Sequence, residues 1–208
     1  MNALNAPARE ALSWRNGIGF LDLGQNAQAI YNLGYWQEYA QRAATAMGKT
    51  LTANRVQLVN RFVGHDAVCD IGIGSGAFIT QRGGETFGYD VNPVAVAWLH
   101  QHDRWINPYL VKVDHATFWD SLEHIRDPGQ VLGDVRRHVF IATPIYRDRG
   151  HCLGSKHFKP GEHCWYWTHD GLVRFMDVYG FSYIEHSDVE TQLGREDVGT
   201  YVFRRSDA

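Results

Sequence analysis

The stretch Ala67-Val-Cys-Asp-Ile-Gly-Ile-Gly-Ser-Gly76 decides the fold of this chain. Its first five residues form a short, mostly apolar run that is typical of a buried strand. The three alternating glycines that follow allow a tight turn and let a ligand approach backbone amides that no side chain shields. A helix is predicted to begin near Ala77, and its first amides suit a bound anion. The stretch therefore predicts a strand, a turn and a helix of an α/β sheet.

Outward from this stretch, strand and helix patterns alternate. Helices are predicted at residues 31–47, 54–63, 93–102, 122–137 and 168–180, and strands at 85–90, 115–119, 139–143, 181–189 and 200–204. Pro128 is expected to interrupt the fourth of these helices. The first thirty residues show no clear pattern and are expected to be loosely structured. The alternation predicts an α/β sheet with helices on both faces and a ligand site beyond the carboxyl ends of the strands.

The composition is that of one globular unit, with 208 residues of which 44% are hydrophobic and 21% charged. No apolar run reaches 18 residues, the N-terminus lacks a signal-peptide layout, and only three cysteines are present. We therefore expect a cytoplasmic protein without a membrane partner. The formal net charge of −3 does not favour a nucleic-acid partner.

The sequence predicts two parts of the chain. Residues 1–50 form an N-terminal helical extension or lid, and residues 51–208 form a single domain. Three tyrosines, Tyr31, Tyr35 and Tyr39, are spaced four apart on one face of the first predicted helix. They fit two interpretations, a lid over the ligand site or ordinary helix packing.

A carboxylate at the end of the next predicted strand complements the glycine turn. Asp90 lies where an acid can accept hydrogen bonds from both ribose hydroxyls of an adenosine-containing cofactor. The turn itself fits two cofactor classes, because Gly72-x-Gly74-x-x-Ala77 also satisfies the dinucleotide fingerprint. Asp70 favours the methyl donor S-adenosylmethionine, since a carboxylate at this position suits an ammonium group and would repel a pyrophosphate.

Two segments resemble the cofactor motifs of class I S-adenosylmethionine-dependent methyltransferases, namely Val68-Cys-Asp-Ile-Gly-Ile-Gly-Ser-Gly76 and Gly88-Tyr-Asp90. Two more, Trp119-Asp-Ser-Leu-Glu-His-Ile-Arg-Asp-Pro128 and Thr143-Pro144, resemble the branch with a Leu-Glu-His-Ile motif. The resemblance covers residues 50–205. It implies a Rossmann-like, mostly parallel sheet of seven strands with an antiparallel last strand. It also implies a glycine loop and an acid that hold the cofactor, here Asp70, Gly72, Gly74, Gly76 and Asp90.

One segment departs from that family pattern. Such proteins have a third strand that ends in an acid facing the adenine amine. Here only Asn107 to Val113 separates the predicted helix at 93–102 from the next strand. We therefore expect the third strand to be short or absent, and the sequence identifies no adenine partner.

Three polar residues, Asp120, Glu123 and His124, follow the strand predicted at 115–119. They are expected on the first turn of a helix, where the i, i+3, i+4 spacing puts all three side chains on one face. Two carboxylates and an imidazole so placed can bind a divalent metal ion or supply a general base. His124, His163 and Asp120 are accordingly the candidate catalytic residues.

The same cluster resembles the Glu-x-x-Glu-His motif of small-RNA 3′-end and ubiquinone-pathway O-methyltransferases. In the RNA enzymes a further histidine precedes an aromatic-x-Trp-Thr sequence, and here His163 stands before Trp165-Tyr-Trp-Thr168. The resemblance implies a Mg²⁺ or Mn²⁺ site formed by Asp120, Glu123, His124 and His163. The alternative is a loop without metal, because the Leu-Glu-His-Ile motif also occurs in this branch where no metal binds.

Three functions fit these features. The first is methyl transfer from S-adenosylmethionine to an oxygen or nitrogen atom of a small-molecule or nucleic-acid acceptor. The second is a nicotinamide-dependent oxidoreductase that uses the same glycine turn. The third is a catalytically inactive cofactor-binding domain that serves in interactions. The sequence identifies neither the acceptor nor the oligomeric state.

Overall fold

A computed structural model of the chain describes residues 6–23 and 31–206. Its first elements are helix α1 (Ala6–Ala11) and a hairpin of strands β1 (Ser13–Arg15) and β2 (Ile18–Phe20). The expectation of loose structure is therefore wrong for this part, whereas residues 1–5 and 24–30 lie outside the described ranges. The hairpin was missed because each strand has three residues, too few for a period, and because β2 pairs with a strand far along the chain.

Helices α2 (Leu33–Ala44) and α3 (Ala46–Val63) follow. The sequence predicted a helix to residue 47 and a new one from residue 54. The break lies instead at Thr45, whose hydroxyl accepts a hydrogen bond from the Gly48 amide (3.0 Å) and so caps α3. The division proposed at residue 50 falls inside α3. Gly64 ends this helix with φ +58°, as expected.

From β3 onward, strands alternate with helices along the chain. The elements are β3 (Val68–Ile71), α4 (Ala77–Arg82), β4 (Thr86–Tyr89), α5 (Pro93–Gln101), β5 (Val113–Trp119), α6 (Pro128–Gly133), β6 (Val135–Pro144), α7 (Arg149–Gly154), β7 (Trp165–Trp167), α8 (His169–Val178), β8 (Phe181–Ser187), α9 (Val189–Gln192) and β9 (Val198–Arg205). Strand β7 joins the hairpin in a small sheet of order β1-β2-β7.

The central sheet has the order β4-β3-β5-β6-β9-β8. Strands β4, β3, β5 and β6 are parallel, and β9 runs antiparallel to both of its neighbours. This confirms a mostly parallel sheet with an antiparallel last strand. The six strands are one fewer than the resemblance implied, because the segment between α5 and β5 makes only an isolated bridge, Gly88 with Trp105. The expected short or absent third strand is confirmed.

Helices cover both faces of the central sheet. Along β6, Val139 and Ile141 belong to a core that includes side chains of α6 and α8, whereas Phe140 and Ala142 belong to a second core with side chains of α3 and α4. This alternation follows from the two-residue period of a strand. None of the helices within residues 6–23 and 31–206 is long and apolar enough to cross a membrane.

The helix predicted at 122–137 does not form as one element. A short 3₁₀ helix (Leu122–His124) is followed by α6, which begins at Pro128, and β6 already begins at Val135. Pro128 lacks an amide hydrogen and therefore suits the first turn of a new helix, not the middle of a longer one. The residues after β5 are thus arranged by a 3₁₀ turn.

Candidate active site

A cavity of about 560 Å³ opens at the carboxyl edge of the central sheet. Its wall includes the residues that end or directly follow β3, β4 and β5, which are Ile71 and Gly72, Tyr89 and Asp90, and Trp119 and Asp120. Carboxyl ends of adjacent parallel strands meet at one edge of a sheet, so residues far apart in sequence converge there. The cavity lies where the sequence predicted a ligand site.

The glycine turn forms one wall of this cavity through Gly72 and Gly74. Their φ angles are +80° and +55°, a region that favours glycine. A Cβ on Gly72 would lie 2.5 Å from Cβ of Ser121, and one on Gly74 would lie 3.1 Å from Cδ1 of Tyr39. The turn thus needs glycine both for its backbone and for its close packing, and its Gly72 amide donates to the Tyr89 oxygen (2.8 Å).

Two residues of the predicted cofactor set do not line the cavity. A Cβ on Gly76 would lie 2.8 Å from the Trp98 ring, so this glycine is needed for packing against α5. Asp70 is buried in β3, and its carboxylate accepts a hydrogen bond from the Thr117 hydroxyl (2.7 Å). Burial raises the pKa of Asp70 to about 7. The role of a direct ammonium partner, predicted for Asp70, is not supported by its position inside the sheet.

Asp90 lines the cavity directly after β4. Its Oδ1 accepts a hydrogen bond from the Asn92 amide (2.8 Å). Burial raises the pKa of Asp90, although hydrogen bonds from the amides of Asn92 and Gly74 oppose the shift. The carboxylate therefore connects the end of β4 to the glycine turn.

The three tyrosines Tyr31, Tyr35 and Tyr39 all line the cavity. Tyr35 and Tyr39 stack with ring centroids 4.7 Å apart, and the Tyr35 hydroxyl donates to that of Tyr39 (3.0 Å). Tyr31 packs edge-on against Tyr35 at 5.1 Å. Helix α2 has no fully buried residue, so this aromatic face serves the cavity wall more than a core.

Asp120 was predicted to join Glu123 and His124 on one helical face, and the structure separates it from them. Arg195 donates to both of its oxygens (2.7 Å to Oδ1 and 2.9 Å to Oδ2), and Arg55 donates to Oδ2 (3.1 Å). Burial alone would raise the pKa of Asp120, but the charges of Arg195 and Arg55 outweigh burial and hold it well below its usual range. A carboxylate so occupied is neither a general base nor a metal ligand.

The other three predicted ligands, Glu123, His124 and His163, do come together. Each offers a ligand atom, and these atoms lie within 4.8 Å of one another. Oε2 of Glu123 and Nδ1 of His163 are buried without a hydrogen-bond partner. Burial, then the charge of Asp120, raises the pKa of Glu123 to about 8, and burial lowers the pKa of His163 well below its ordinary value. Among the residues that the structure describes, no other group of three could hold a metal ion.

His124 faces the cavity, whereas Glu123 and His163 do not line it. Its Nδ1 lies 3.0 Å from the backbone oxygen of Glu162 and 3.2 Å from the Tyr31 hydroxyl oxygen. A carbonyl oxygen can only accept a hydrogen bond, so we assign the ring proton to Nδ1. This tautomer leaves the lone pair on Nε2, which is then the nitrogen able to accept a proton or bind an ion.

Sequence reasoning missed several residues of the site. Ser121 packs against Gly72 and donates a hydrogen bond to the Ile71 oxygen, and Tyr109 lines the cavity beside Asp90. Tyr109 lies within the segment between α5 and β5 that replaces the third strand, four positions after the bridged Trp105. Arg55 and Arg195 carry no local signal, because they reach Asp120 from 65 and 75 positions away.

Comparisons with known proteins point to one family. A family model described as a methyltransferase domain matches residues 36–186. No curated protein matches the chain. The solved structures that are similar to it include three methyltransferases. For magnesium protoporphyrin IX methyltransferase from Synechocystis PCC 6803, with bound S-adenosylhomocysteine, the identity is 15% and the TM-score 0.55, over 83% of this chain and 94% of that chain.

A methyltransferase from Burkholderia thailandensis was solved with 1,6-didemethyltoxoflavin and S-adenosylhomocysteine. It shows 14% identity and a TM-score of 0.57, over 94% of this chain and 99% of that chain. An S-adenosylmethionine-dependent methyltransferase from Archaeoglobus fulgidus shows 13% identity and a TM-score of 0.56, over 82% and 99%. At these identities the likeness shows a shared fold.

Proposed function

This chain belongs to the family of methyltransferase domains, and we propose that it transfers a methyl group from S-adenosylmethionine to an oxygen or nitrogen atom of a small acceptor. The observation that carries the proposal is the cradle of Gly72 and Gly74 beside the Asp90 carboxylate, within one cavity of about 560 Å³. A cavity of this size suits a ligand of cofactor dimensions. Because a Cβ at either glycine would meet Ser121 or Tyr39, the turn that lines the cavity keeps this shape only with glycine at both positions.

Each part of the donor has a partner of matching chemistry in the cavity wall. The glycine turn lines the cavity where the methionyl part of the donor would lie, and Asp90 suits its ribose hydroxyls. Tyr89 and Tyr109 pack edge to face, with centroids 5.4 Å apart, and both line the cavity with Asp90. We assign Tyr109 to the adenine ring, because it lines the cavity from within the segment that replaces the third strand.

The acceptor side is assigned to Tyr31, Tyr35 and His124. Their rings form an aromatic part of the wall, with Tyr31 edge-on to both Tyr35 and His124, which suits a small aromatic or heterocyclic acceptor. When donor and acceptor are bound, the acceptor atom attacks the methyl carbon, the carbon–sulfur electron pair stays on sulfur, and the acceptor proton leaves. We assign His124 as the base that takes that proton, and holding both molecules in line supplies most of the rate.

Calorimetric titration of the full chain tests the donor. We expect S-adenosylhomocysteine to bind and NADH to give no heat. Binding of NADH without a response to S-adenosylhomocysteine would support the oxidoreductase alternative and overturn the proposal. Incubation with S-adenosylmethionine carrying a labelled methyl group and a panel of aromatic hydroxyls and amines then tests transfer. Donor binding with no labelled product from that panel or from a broad metabolite extract would support the inactive domain.

A second candidate adds a divalent metal ion at Glu123, His124 and His163. The unpartnered Oε2 of Glu123 and Nδ1 of His163, with the free Nε2 of His124, are the observation that favours it. Two imidazoles and one carboxylate suit Mn²⁺ better than Mg²⁺. A bound ion would lower the pKa of an acceptor hydroxyl. His124 would then be a ligand and no longer a base.

Metal content decides between the two candidates independently of activity. We expect protein purified without chelator and dialysed against Mn²⁺ to retain about one ion per chain, and His163→Ala to retain none. Asp120→Asn serves as the comparison, since the structure removes Asp120 from the ligand set. An equal Mn²⁺ content in wild type and His163→Ala would reject the proposed metal site and leave His124 as the base.

A further inference from the structure

Four charged side chains form a largely buried group that reaches the cavity wall at Asp120, and we call Arg55, Asp120, Glu190 and Arg195 the charge quartet. Besides the bonds to Asp120, Arg55 donates to both oxygens of Glu190 (2.8 and 3.0 Å), and Arg195 also contacts Glu190. Glu190 is fully buried. Two cations and two anions balance, which is the condition under which buried charges are tolerated.

The quartet adjoins the part of the wall that supports the glycine turn. The Arg55 guanidinium lies over the Trp119 ring at 4.9 Å. Asp120 has a φ of +57°, unusual for a residue with a side chain, so its partners must hold this backbone in place. Ser121, the next residue, donates to the Ile71 oxygen and lies in close contact with Gly72. Both arginines of the quartet are thereby connected to Gly72 through the consecutive residues Asp120 and Ser121.

Arg195 also belongs to a loop that is itself held by hydrogen bonds to another part of the chain. The adjacent Glu196 accepts a hydrogen bond at its backbone oxygen from Nε2 of His157 (2.9 Å), and the oxygen of Asp197 accepts one from the Ile145 amide (2.7 Å). The loop between α9 and β9 therefore contacts the segment after β6 as well as the residue after β5.

We propose that Arg195 is a positioning residue for the methyl-donor site, which holds Asp120, and through Ser121 the Gly72 turn, in the conformation that the donor requires. The inference rests on the proposed function, since it assigns the turn to the donor. Arg195 does not itself line the cavity. Its effect on the donor passes through Asp120, both of whose oxygens it binds in a fork that lysine cannot reproduce.

The competing explanation is that the quartet only stabilises the fold, and a charge-balanced variant separates the two. Arg195→Met with Glu190→Met removes one cation and one anion and leaves Arg55 paired with Asp120. Replacing a buried ion pair by apolar side chains often preserves stability. The matched control is Arg61→Met with Glu185→Met, which removes the exposed ion pair that α3 makes with β8.

The measurements are the urea midpoint of unfolding and the dissociation constant of S-adenosylhomocysteine. We expect the quartet variant to keep its midpoint near that of wild type and to bind about tenfold more weakly, while the control binds as wild type does. Arg195→Lys, which keeps the charge, should fall between. A folded quartet variant with unchanged affinity overturns the inference, as does a loss of affinity that only parallels a loss of stability across the set.

If the double variant does not fold, Arg195→Lys decides alone, because wild-type affinity in that folded variant would also overturn the inference. If the proposed function is wrong, the result differs, because wild type itself would then not bind S-adenosylhomocysteine.

Discussion

Tyr39 lies directly against the glycine turn, so that a Cβ placed on Gly74 would come within 3.1 Å of Cδ1 of its ring. A Cβ placed on Gly72 would come closer still to its neighbour, within 2.5 Å of Cβ of Ser121. The turn is therefore held between α2 on one side and the residue pair after β5 on the other. Its conformation depends on both contacts, which makes the glycines sensitive probes of the site.

Gly72→Ala should destabilise the protein by about 1–3 kcal/mol, because the new methyl group meets Ser121 at a positive φ. It should also abolish detectable binding of S-adenosylhomocysteine, since the amides of the turn would be displaced. Urea unfolding and calorimetry measure the two effects. Gly64→Ala is the matched control, with φ +58° and open space around the new Cβ. It should cost about 1–2 kcal/mol of stability and leave affinity unchanged. Loss of affinity in the control would show that the site responds to stability alone.

Asp90→Ala should weaken binding of S-adenosylhomocysteine by about 1.5–3 kcal/mol, because hydrogen bonds from ribose hydroxyls to a charged acceptor are lost. Calorimetric dissociation constants measure this. Asp114→Ala removes an exposed carboxylate, paired with Arg136, and should bind as wild type does. Equal affinities of wild type and Asp90→Ala would refute the ribose assignment.

The raised pKa of Asp70 leads to a prediction of how the free energy of unfolding changes with pH. Its pKa is raised from 3.8 to about 7, so between these values the folded protein keeps a proton that the unfolded chain has released. The free energy of unfolding should therefore fall as pH rises from about 4 to 7, by at most about 1.4 kcal/mol per pH unit from this group. The side chain in Asp70→Asn cannot ionise. The free energy of unfolding of this variant should therefore rise relative to that of wild type as pH rises.

Urea unfolding of wild type and Asp70→Asn at pH 5, 6, 7 and 8 measures this difference. The contributions of all other groups are shared by the two proteins and cancel in the comparison. Above pH 7 the difference should level off. A constant difference in the free energy of unfolding between the two proteins at all four pH values would show that Asp70 does not hold its proton in the folded state.

Tyr109→Ala should weaken binding of S-adenosylhomocysteine by about 1 kcal/mol, because an aromatic contact to the adenine ring is lost. Tyr109→Phe keeps the ring and should bind as wild type does. The half-exposed Tyr183 on β8 provides the comparison, since Tyr183→Ala changes a tyrosine remote from the residues that line the cavity. A phenylalanine variant as weak as the alanine variant would shift the role of Tyr109 from its ring to its hydroxyl.

Much of the fold could be predicted from the sequence, because its determinants are local. The glycine turn after β3, Pro93 at the start of α5 and Thr168 before α8 each act on their own neighbours through φ preference or a capping bond. The short apolar runs of the buried strands and the missing third strand could be seen in the same way. Asp90, Gly72 and Gly74 were found as candidate site residues for this reason, and their roles toward the donor stay predictions.

The sequence by itself thus determined an α/β sheet with a glycine cradle at its carboxyl edge and an acid beside it. Only the tertiary structure decided which polar residues act together. Asp120 and Glu123 are three positions apart, yet Asp120 is bound by arginines from α3 and from the loop after α9, while Glu123 lies with two histidines. Charges pair across space at whatever sequence separation the fold provides, so no spacing rule along the chain could have assigned Arg195 to Asp120.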